Sequence, residues 1–416
     1  MRPGSSPDTM PPKQWEVRVL LKGLKVVEFA SYIAAPGAAG IMADWGAQVI
    51  KVERPEGDPM RHVFADAASD LAGNPTFSLD NRGKRAIVLD ISKPSGRDAL
   101  AKLAQDADVF LTNVRPAALK RAGLDEATLR AANPRLIYAM VTGYGLEGPD
   151  ADKPGFDVTA FWARAGVGHM TVPKGGEPFL LRTGVGDHTT SLATVSAILA
   201  ALYEREQTGQ GRVVQTSLLA TGIYTVSSDL AVQLAFGRLA SARPRTAPFD
   251  ALANFYAASD GRWFVLNPRG AGKDWVPIIT AAGRPDLAQD ERFATGKARR
   301  VNAAALAVEL DAAFRKFSFE EVAARLDEAD LVWSPFQSPA DVSADPQAAA
   351  AGAWVEITDG QGHGFRSPAA PARFPGMDQS TRPPAPVLGQ HTREILREAG
   401  YEDEVIEAMI RDGAAV

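Results

Sequence analysis

Segments typical of β-strands alternate with segments typical of helices along the first third of the chain, and this alternation restricts the fold more than any other feature. A run of small residues over 36–45 favours a helix between the first two strands. Strand-like apolar runs are predicted over 24–29, 48–53, 86–91, 108–112 and 136–142. Strands joined through helices form a parallel sheet with helices on both faces. We therefore expect an α/β fold with a large, doubly wound open sheet, which binds ligands at the carboxyl ends of its strands.

The second half of the chain predicts a smaller α+β domain. A long helical run over 218–236 follows a strand over 212–217, and residues 249–258 and 262–266 predict a hairpin. Further helices are predicted over 275–282, 303–316 and 319–327. Helices and a hairpin that are segregated in this way are typical of an α+β arrangement.

Composition excludes several classes of protein and site. With 45 Lys and Arg against 50 Asp and Glu, the net charge of −5 gives no general attraction to nucleic acid or to an anionic membrane. The absence of cysteine excludes disulfides and thiolate chemistry and fits a cytoplasmic protein. The 5 histidines lack ligand spacing, so we expect no metal site. No apolar run reaches bilayer length, and residues 1–18 lack the apolar core of a signal peptide.

The loops at the predicted strand ends favour an anion site that is not a nicotinamide site. After the first strand the chain reads FASYIAAPGAAG, which lacks the GxGxxG pattern and so disfavours a dehydrogenase. Arg54, Arg115 and Arg121 lie on or beside loops that follow other strands. Surface loops are often charged, but cations clustered at one sheet edge raise the probability of an anion site, and the forked guanidinium group of arginine suits phosphate groups.

The stretch from Arg182 to Tyr203 contains the strongest candidate for a chemical role. It reads RTGVGDHTTSLATVSAILAALY, with Asp187 after two glycines and apolar residues at helical spacing beyond it. Asp187 is therefore expected at or just before a helix start. One interpretation is an N-cap, which stabilises a helix by about 1 kcal/mol. The other is a nucleophile beside backbone N–H groups that stabilise negative charge. Spacing alone does not choose between them.

Several blocks of the sequence resemble the class III CoA-transferase family, which includes formyl-CoA transferase and the CaiB/BaiF proteins. The blocks around Asp187, together with GLKVVEFASYIAAPGAAGIMADWGAQVIKVERPEGDPMR, NRGKRAIVLDI and ADVFLTNVRPAALKRAGL, carry the resemblance. It extends over nearly all of the chain beyond the first twenty residues. Within the family, the motifs resemble those of the transferases of 2-hydroxy acids and aryl-lactates more than those of the formyl-CoA enzymes.

The resemblance implies roles for individual residues. It implies that Asp187 is the nucleophile and that coenzyme A or an acyl-CoA is bound as a substrate, with no permanent cofactor. The implied contacts with coenzyme A are Arg54, Leu89, Asn113, Val114, Arg115, Arg121, Thr142, Gly143, Tyr144 and Gly145. Backbone N–H groups near Gly184, Gly186 or the Ala34-Ala35 turn are expected to stabilise oxyanions.

The resemblance also implies a domain division and an assembly. We expect a loose extension over 1–18, a large CoA-binding α/β domain over 19–217, a linker helix with the small α+β domain over 218–334, and a return to the large domain over 335–416. The family further implies a homodimer of two interlocked chains.

Two positions depart from relatives within the superfamily. Ile33 replaces a glutamine of the formyl-CoA enzymes, so their account of how that glutamine holds the intermediate does not transfer to this chain. Phe156 occupies the position of a histidine that serves as a base in the α-methylacyl-CoA racemases. Because phenylalanine cannot transfer a proton, a racemase would lack its second base.

The sequence thus predicts transfer of CoA from an acyl-CoA thioester to a small free carboxylic acid, through an aspartyl anhydride and an aspartyl-CoA thioester. A 2-hydroxy acid or aryl-lactate is the favoured acid, and small dicarboxylates stay open. The alternatives are an acyl-CoA racemase or epimerase and a catalytically idle CoA-binding protein.

Overall fold

The computed structural model describes residues 19–63, 74–182, 184–270, 272–358, 364–377 and 381–416. The N-terminal extension predicted over 1–18 lies outside these residues. The described part of the chain forms two compact units, each with its own core. The first unit falls within Met1–Val167, Leu180–Leu230 and Ala349–Val416, and the second comprises Gly168–Phe179 and Ala231–Ala348. The predicted domain boundaries at 218 and 335 stay predictions.

The first unit is built on a six-stranded parallel sheet, which confirms the predicted α/β class. Its strands are β1 (Lys25–Phe29), β2 (Gln48–Glu53), β3 (Arg85–Val88), β4 (Val109–Thr112), β5 (Ile137–Thr142) and β6 (Val213–Ser217). They lie in the order β3-β2-β1-β4-β5-β6. The order reverses at β1 and β4, so the carboxyl ends of these two strands flank the switch point at which open α/β sheets bind ligands.

Helices cover both faces of this sheet. Successive residues of β1 point to opposite sides, so Val26 packs in one apolar cluster and Val27 in another. The helices of the chain, in order, are α1 (Ala34–Asp44), α2 (Pro75–Asn81), α3 (Pro94–Gln105), α4 (Pro116–Ala122), α5 (Glu126–Ala132), α6 (Val167–Thr171), α7 (Val185–Thr208), α8 (Leu218–Thr225), α9 (Ser227–Phe236), α10 (Trp275–Ala281), α11 (Gly296–Val301), α12 (Ala303–Phe314), α13 (Phe319–Glu328), α14 (Pro339–Ala344), α15 (Pro346–Ala350), α16 (Thr392–Glu398) and α17 (Asp403–Arg411). A π-helical segment covers Asp157–Arg164.

Small residues let α1 pack unusually close to its neighbours. A Cβ atom on Gly37 would lie 2.6 Å from the Ser191 hydroxyl of α7, and one on Gly40 would lie 2.6 Å from the backbone oxygen of Asp80 in α2. Backbone cannot yield as a flexible side chain can, so Gly40 in particular fixes the distance between α1 and α2. This close packing brings the beginnings of α1 and α7 together.

The second unit contains the antiparallel sheet β7 (Asn254–Ala257), β8 (Trp263–Leu266) and β9 (Trp333–Pro335), packed on α10, α12 and α13. The predicted hairpin is confirmed, with a shorter first strand. The first unit has a further small sheet of β10 (Trp354–Thr358), β11 (Gly364–Pro368) and β12 (Thr381–Arg382).

The helix predicted over 218–236 is wrong in one respect, because Val226 separates it into α8 and α9. Across the described ranges, no single helix has the length and apolar character needed to cross a membrane, although α8 and α9 taken together as a bent pair meet that criterion by length and composition.

Candidate active site

The turn that follows β1 is held in an unusual conformation by polar contacts. Asn113, at the end of β4, accepts a hydrogen bond from the Ser31 N–H at 3.1 Å and donates one to the Ser31 oxygen at 2.7 Å. Tyr32 comes next, with a φ of 69° in the left-handed region that few non-glycine residues adopt. Its N–H donates to the Asp58 carboxylate at 3.1 Å. Such backbone strain clusters at functional sites.

A buried ion network lies beneath this turn and fixes Asp58. The Lys51 ammonium lies 2.8 Å from both Glu28 and Asp58, and Lys84 lies 2.6 Å from the other oxygen of Glu28. Burial opposes the charge on Lys51, but the surrounding carboxylates outweigh it and raise the Lys51 pKa. Burial lowers the pKa of Lys84 to about 8, with Glu28 opposing and Lys51 adding to the shift.

The amino end of α7 is capped from outside the helix. The N–H groups of Gly184 and Gly186 donate to the two oxygens of Asp157 at 2.6 and 3.1 Å. Gly184 has a φ of 110°, which a residue with a side chain rarely adopts, and no side chain on the helix provides a cap. Asp187 is the third residue of the helix and lies inside its first turn, so the N-cap interpretation of Asp187 is wrong. Asp157 performs that role.

The Asp187 side chain is largely buried, and the charge of the neighbouring His188 only partly offsets the cost of that burial. Asp187 is 9% exposed, and no group in the described ranges donates a hydrogen bond to its side chain. Burial raises the pKa of Asp187 to about 7, and the carboxylates of Asp157 and Asp80 add to the shift while His188 opposes it. Carboxyl pKa values in this range are characteristic of groups used in chemistry.

His188 forms an ion pair that borders Asp187. Its Nε2 atom lies 3.0 Å from the buried carboxylate of Asp80 on α2. Burial lowers the pKa of His188, but the hydrogen bond and charge of Asp80 outweigh it, so the pKa is raised overall. The imidazole is therefore charged over more of the neutral range than a free histidine, and its side chain stays 42% exposed.

Ser191 ties the Asp187 turn to the turn after β1. Its hydroxyl lies 2.7 Å from the backbone oxygen of Ala34 and 3.0 Å from that of Asp187. The Tyr32 and Phe156 rings also meet edge to face, with centroids 5.4 Å apart. Because Phe156 adjoins the capping Asp157, these contacts gather the two turns and the nucleophile candidate into one site at the carboxyl edge of the sheet.

Most of the residues predicted to bind coenzyme A lie along this edge. Arg54 follows β2 and is exposed, Arg115 follows β4 and is exposed, and the turn beginning at Thr142 ends β5. Leu89 follows β3, but its side chain is fully buried and its N–H donates to the Glu53 oxygen. Arg121 lies in the last turn of α4, on an exposed surface. The carboxyl edge thus brings together every predicted contact except Arg121.

The turn after β5 is shaped by two glycines. A Cβ atom on Gly143 would lie 2.8 Å from the Cα of Gly155, so these backbones touch, and Gly145 has a φ of 103°. The Gly145 N–H donates to the Thr142 hydroxyl at 3.0 Å. The contact holds the segment before Phe156 against the end of β5.

Sequence reasoning missed Asp157 and Asp80 as parts of the site. Asp157 is separated from the glycines it caps by 27 and 29 residues, and Asp80 is 108 residues from His188. Within the residues described, no cluster of three or more His, Cys, Asp or Glu side chains could hold a metal ion. A cavity of about 580 Å³ lies at the opposite, amino-terminal edge of the sheet, beside Lys25 and Gln48, and contains no predicted site residue.

Comparison with known proteins agrees with the resemblance found in the motifs. Residues 21–392 match the model of CoA-transferase family III. The chain is 35% identical over 391 residues to the (R)-2-hydroxy-4-methylpentanoate CoA-transferase of Clostridioides difficile, covering 93% of this chain and 97% of the relative. It is 32% identical over 408 residues to the cinnamoyl-CoA:phenyllactate CoA-transferase of Clostridium sporogenes, covering 94% and 96%.

Solved structures give the same result. The crystal structure of a CAIB/BAIF family protein from Brucella suis matches with a TM-score of 0.81 at 33% identity, covering 91% of this chain and 99% of that one. The predicted family, fold class and enzyme class are therefore confirmed. The chain belongs to CoA-transferase family III and is a CoA-transferase that acts on carboxylic acids.

Proposed function

We propose that Asp187 is the covalent nucleophile of CoA transfer from an acyl-CoA to a free carboxylic acid. The observation that supports the proposal is a largely buried carboxylate that receives no hydrogen bond from any described residue, at a helix start that Asp157 caps in its place. A carboxylate used only for structure would be neutralised by donors or by a cation. A carboxylate that must attack a carbonyl carbon needs free lone pairs.

The chemistry proceeds through two covalent intermediates. A carboxylate oxygen of Asp187 attacks the thioester carbonyl, the C–S bond breaks, and CoA thiolate leaves behind a mixed anhydride. The thiolate then attacks the aspartyl carbonyl, which releases the first acid and forms an aspartyl-CoA thioester. The acceptor carboxylate attacks that thioester, and the same two steps in reverse order give the new acyl-CoA and free Asp187.

The oxyanions formed in these steps need hydrogen-bond donors. Of the backbone N–H groups predicted from the sequence, one pair is already occupied and the other is not. Gly184 and Gly186 already donate to Asp157, which removes them as stabilisers in this arrangement. The N–H groups of Ala34 and Ala35 begin α1, are buried, and have no acceptor in the described ranges. We assign the oxyanion site to these two groups, which Ser191 links to Asp187 through the oxygen of Ala34.

We further propose that coenzyme A lies along the carboxyl edge of the sheet. Arg54 and Arg115 would meet its phosphates there, since exposed guanidinium groups bind phosphate in a forked geometry. The glycine-containing turn after β5 would admit the ligand close to the backbone. Leu89 is buried, so any contact it makes would be through its backbone.

For the acid we propose a 2-hydroxy acid. The two relatives described above are named for (R)-2-hydroxy-4-methylpentanoate and for phenyllactate, both of which carry a hydroxyl beside the carboxylate. A panel of free acids that includes succinate and glutarate, each incubated with an acyl-CoA donor and analysed by mass spectrometry, would identify the acceptor.

One experiment tests the nucleophile and the reaction class together. The protein is incubated with an acyl-CoA, quenched with hydroxylamine, and digested for mass spectrometry. We expect a hydroxamate on the peptide that contains Asp187, and none in the Asp187→Ala variant. Modification at another residue, or exchange by the variant at the wild-type rate, would contradict the assignment.

The same reaction distinguishes the alternatives. A racemase would incorporate solvent deuterium at the α-carbon of the acyl-CoA without an acceptor acid. Phe156 disfavours that reaction, because it offers no proton-transfer group beside Asp157. A catalytically idle protein would bind coenzyme A but would not transfer it between any pair of acids.

We also propose that the protein is an interlocked homodimer. All residues of α9 are at least partly exposed, and Leu234 and Phe236 are 84% and 74% exposed. Apolar surface of this kind is typical of a surface that a partner covers. Sedimentation at the mass of a single chain would contradict the proposal.

A further inference from the structure

Two aromatic side chains stand exposed beside the Asp187 turn and have no role in the chemistry described above. Tyr32 is 42% exposed and Phe156 is 55% exposed, and their rings meet edge to face. Exposure of an aromatic ring to water costs more free energy than exposure of most other side chains, because the ring has a large apolar surface. A pair retained at an active-site edge therefore calls for a reason other than packing.

The backbone is held out of its preferred conformation to place one of these rings. Tyr32 has a φ of 69°, and three hydrogen bonds fix it there: one from its N–H to the Asp58 carboxylate, and two between Asn113 and Ser31. Asp58 is itself fixed by Lys51. The ring is thus positioned by strain that the buried network supports.

The Phe156 ring is positioned by the same segment that caps the helix of Asp187. Phe156 adjoins Asp157, which caps the helix that carries Asp187. Gly155, on its other side, packs against the backbone of Gly143. Both rings therefore have fixed positions relative to Asp187, as a binding surface requires.

We propose that Tyr32 and Phe156 form a subsite for the apolar side chain of the carboxylic acid, and that they make the enzyme selective for acids with an aryl or branched alkyl group. This inference rests on the proposed function and extends it. An edge-to-face pair offers a flat apolar wall, and a third ring or a branched chain packs well against it.

The charges around the site point the same way. Asp187, Asp157 and Asp80 carry carboxylates there, and His188, the cation that opposes them among the described residues, is already paired with Asp80. A second carboxylate on the substrate would meet repulsion from this cluster. Dicarboxylic acids are therefore expected to be poor substrates compared with monocarboxylic acids that carry an apolar side chain.

The test compares two acceptors, phenyllactate and lactate, which differ only by a ring, with a common acetyl-CoA donor. For Tyr32→Gly, which suits the left-handed backbone, and for Phe156→Leu, we expect the ratio of kcat/KM for phenyllactate over lactate to fall roughly 10- to 100-fold. Most of the loss should come from phenyllactate.

The matched control is Phe374→Leu. Phe374 forms a similar edge-to-face pair with Trp45, 5.5 Å apart, at the opposite end of α1. We expect the same acceptor ratio as in the wild type.

Three results would overturn the inference: equal losses for both acids in the variants, no loss for either acid, or a wild-type preference for lactate or glutarate over phenyllactate. Equal losses would mean that the pair only supports the loop. Hydroxylamine trapping on Asp187 with acetyl-CoA is measured in the same samples, so a failure of the subsite with trapping intact is distinct from a failure of the proposed function.

Discussion

Two parts of the first unit bury ionised groups in opposite ways. Beneath the turn after β1, Glu28 is paired with both Lys51 and Lys84, and Lys51 is also paired with Asp58. At the amino end of α7, Asp187 is largely buried, no residue in the described part of the chain donates a hydrogen bond to its side chain, and burial together with the neighbouring carboxylates raises its pKa. In the first region every charge has an opposite charge beside it, whereas in the second the carboxylate of Asp187 has neither a hydrogen-bond donor nor a paired cation of its own among the described residues.

The difference separates support from chemistry. A buried charge that lacks a partner destabilises the fold, so a protein keeps one only where another advantage compensates. The paired network fixes the backbone of Tyr32 through Asp58, and the capping carboxylate of Asp157 fixes the backbone around Asp187. Each region thus contributes rigidity to the site, and the second also holds the carboxylate that we propose as the nucleophile.

The largest effect should follow from removing the reactive charge. We expect Asp187→Asn to lower kcat for CoA exchange by at least about 10⁴-fold, because loss of a covalent nucleophile removes the whole pathway. Glu204→Gln, near the other end of the same helix, where Glu204 is partly exposed and paired with Arg212, serves as the control and should retain the wild-type rate. Exchange assayed by mass spectrometry measures both, and a retained rate in Asp187→Asn would remove the contrast between the regions.

Much of the fold that holds these two regions follows from the sequence. Strand β2 begins and ends at the predicted residues, and β1, β4 and β5 begin one residue later than predicted. Parallel strands that are buried on both faces give continuous apolar runs, which local patterns reveal. The break at Val226 was missed because α8 and α9 share an uninterrupted helical composition.

The site was predictable only where its groups are close together in the chain. The glycines around Asp187 and the arginines at strand ends stand in local motifs. The cap on Asp187's helix comes from Asp157, and the partner of His188 comes from Asp80, both through contacts between distant segments. Nothing local distinguishes a capping aspartate from a surface aspartate, so these roles required the tertiary structure.

The second prediction concerns the paired network. Lys51→Met leaves the buried carboxylates of Glu28 and Asp58 without their shared cation, and we expect the free energy of unfolding to fall by about 3–5 kcal/mol. Arg85→Met breaks two partly exposed pairs, with Glu394 and Glu398, and should lower the free energy of unfolding by only about 1 kcal/mol. Urea denaturation measures both. A similar, small effect for the two variants would mean that the buried network contributes little.

The third prediction concerns a substitution that should raise the free energy of unfolding, in contrast to Lys51→Met. Asp187 keeps its proton up to about pH 7 in the folded protein, but the unfolded chain releases it near 3.8, so the ionised group destabilises the fold increasingly between these values. Asp187→Asn should therefore raise the free energy of unfolding at pH 8, by on the order of 2–4 kcal/mol. The gain should disappear at pH 4. Denaturation at both pH values checks this, and a destabilised variant at pH 8 would contradict it.

The fourth prediction tests the raised pKa of Asp187 through the pH dependence of the reaction rate and not through stability. Only the ionised form of Asp187 can attack, so kcat/KM for the acyl-CoA should fall about tenfold per pH unit below pH 7. This parameter reports the free enzyme, in which no described residue donates a hydrogen bond to the carboxylate. A profile that is flat down to pH 5 would mean that Asp187 is stabilised as a carboxylate by some other group.

Two variants sharpen that last measurement because they should move the acid limb in opposite directions. His188 carries positive charge that lowers the pKa of Asp187, so His188→Gln should shift the limb to higher pH. Asp157 carries negative charge that raises it, so Asp157→Asn should shift the limb to lower pH, while also weakening the cap on Gly184 and Gly186. Shifts in the same direction would indicate a general disturbance of the helix start. Opposite shifts would indicate that the charges around Asp187, and not its burial alone, adjust the pKa of the nucleophile.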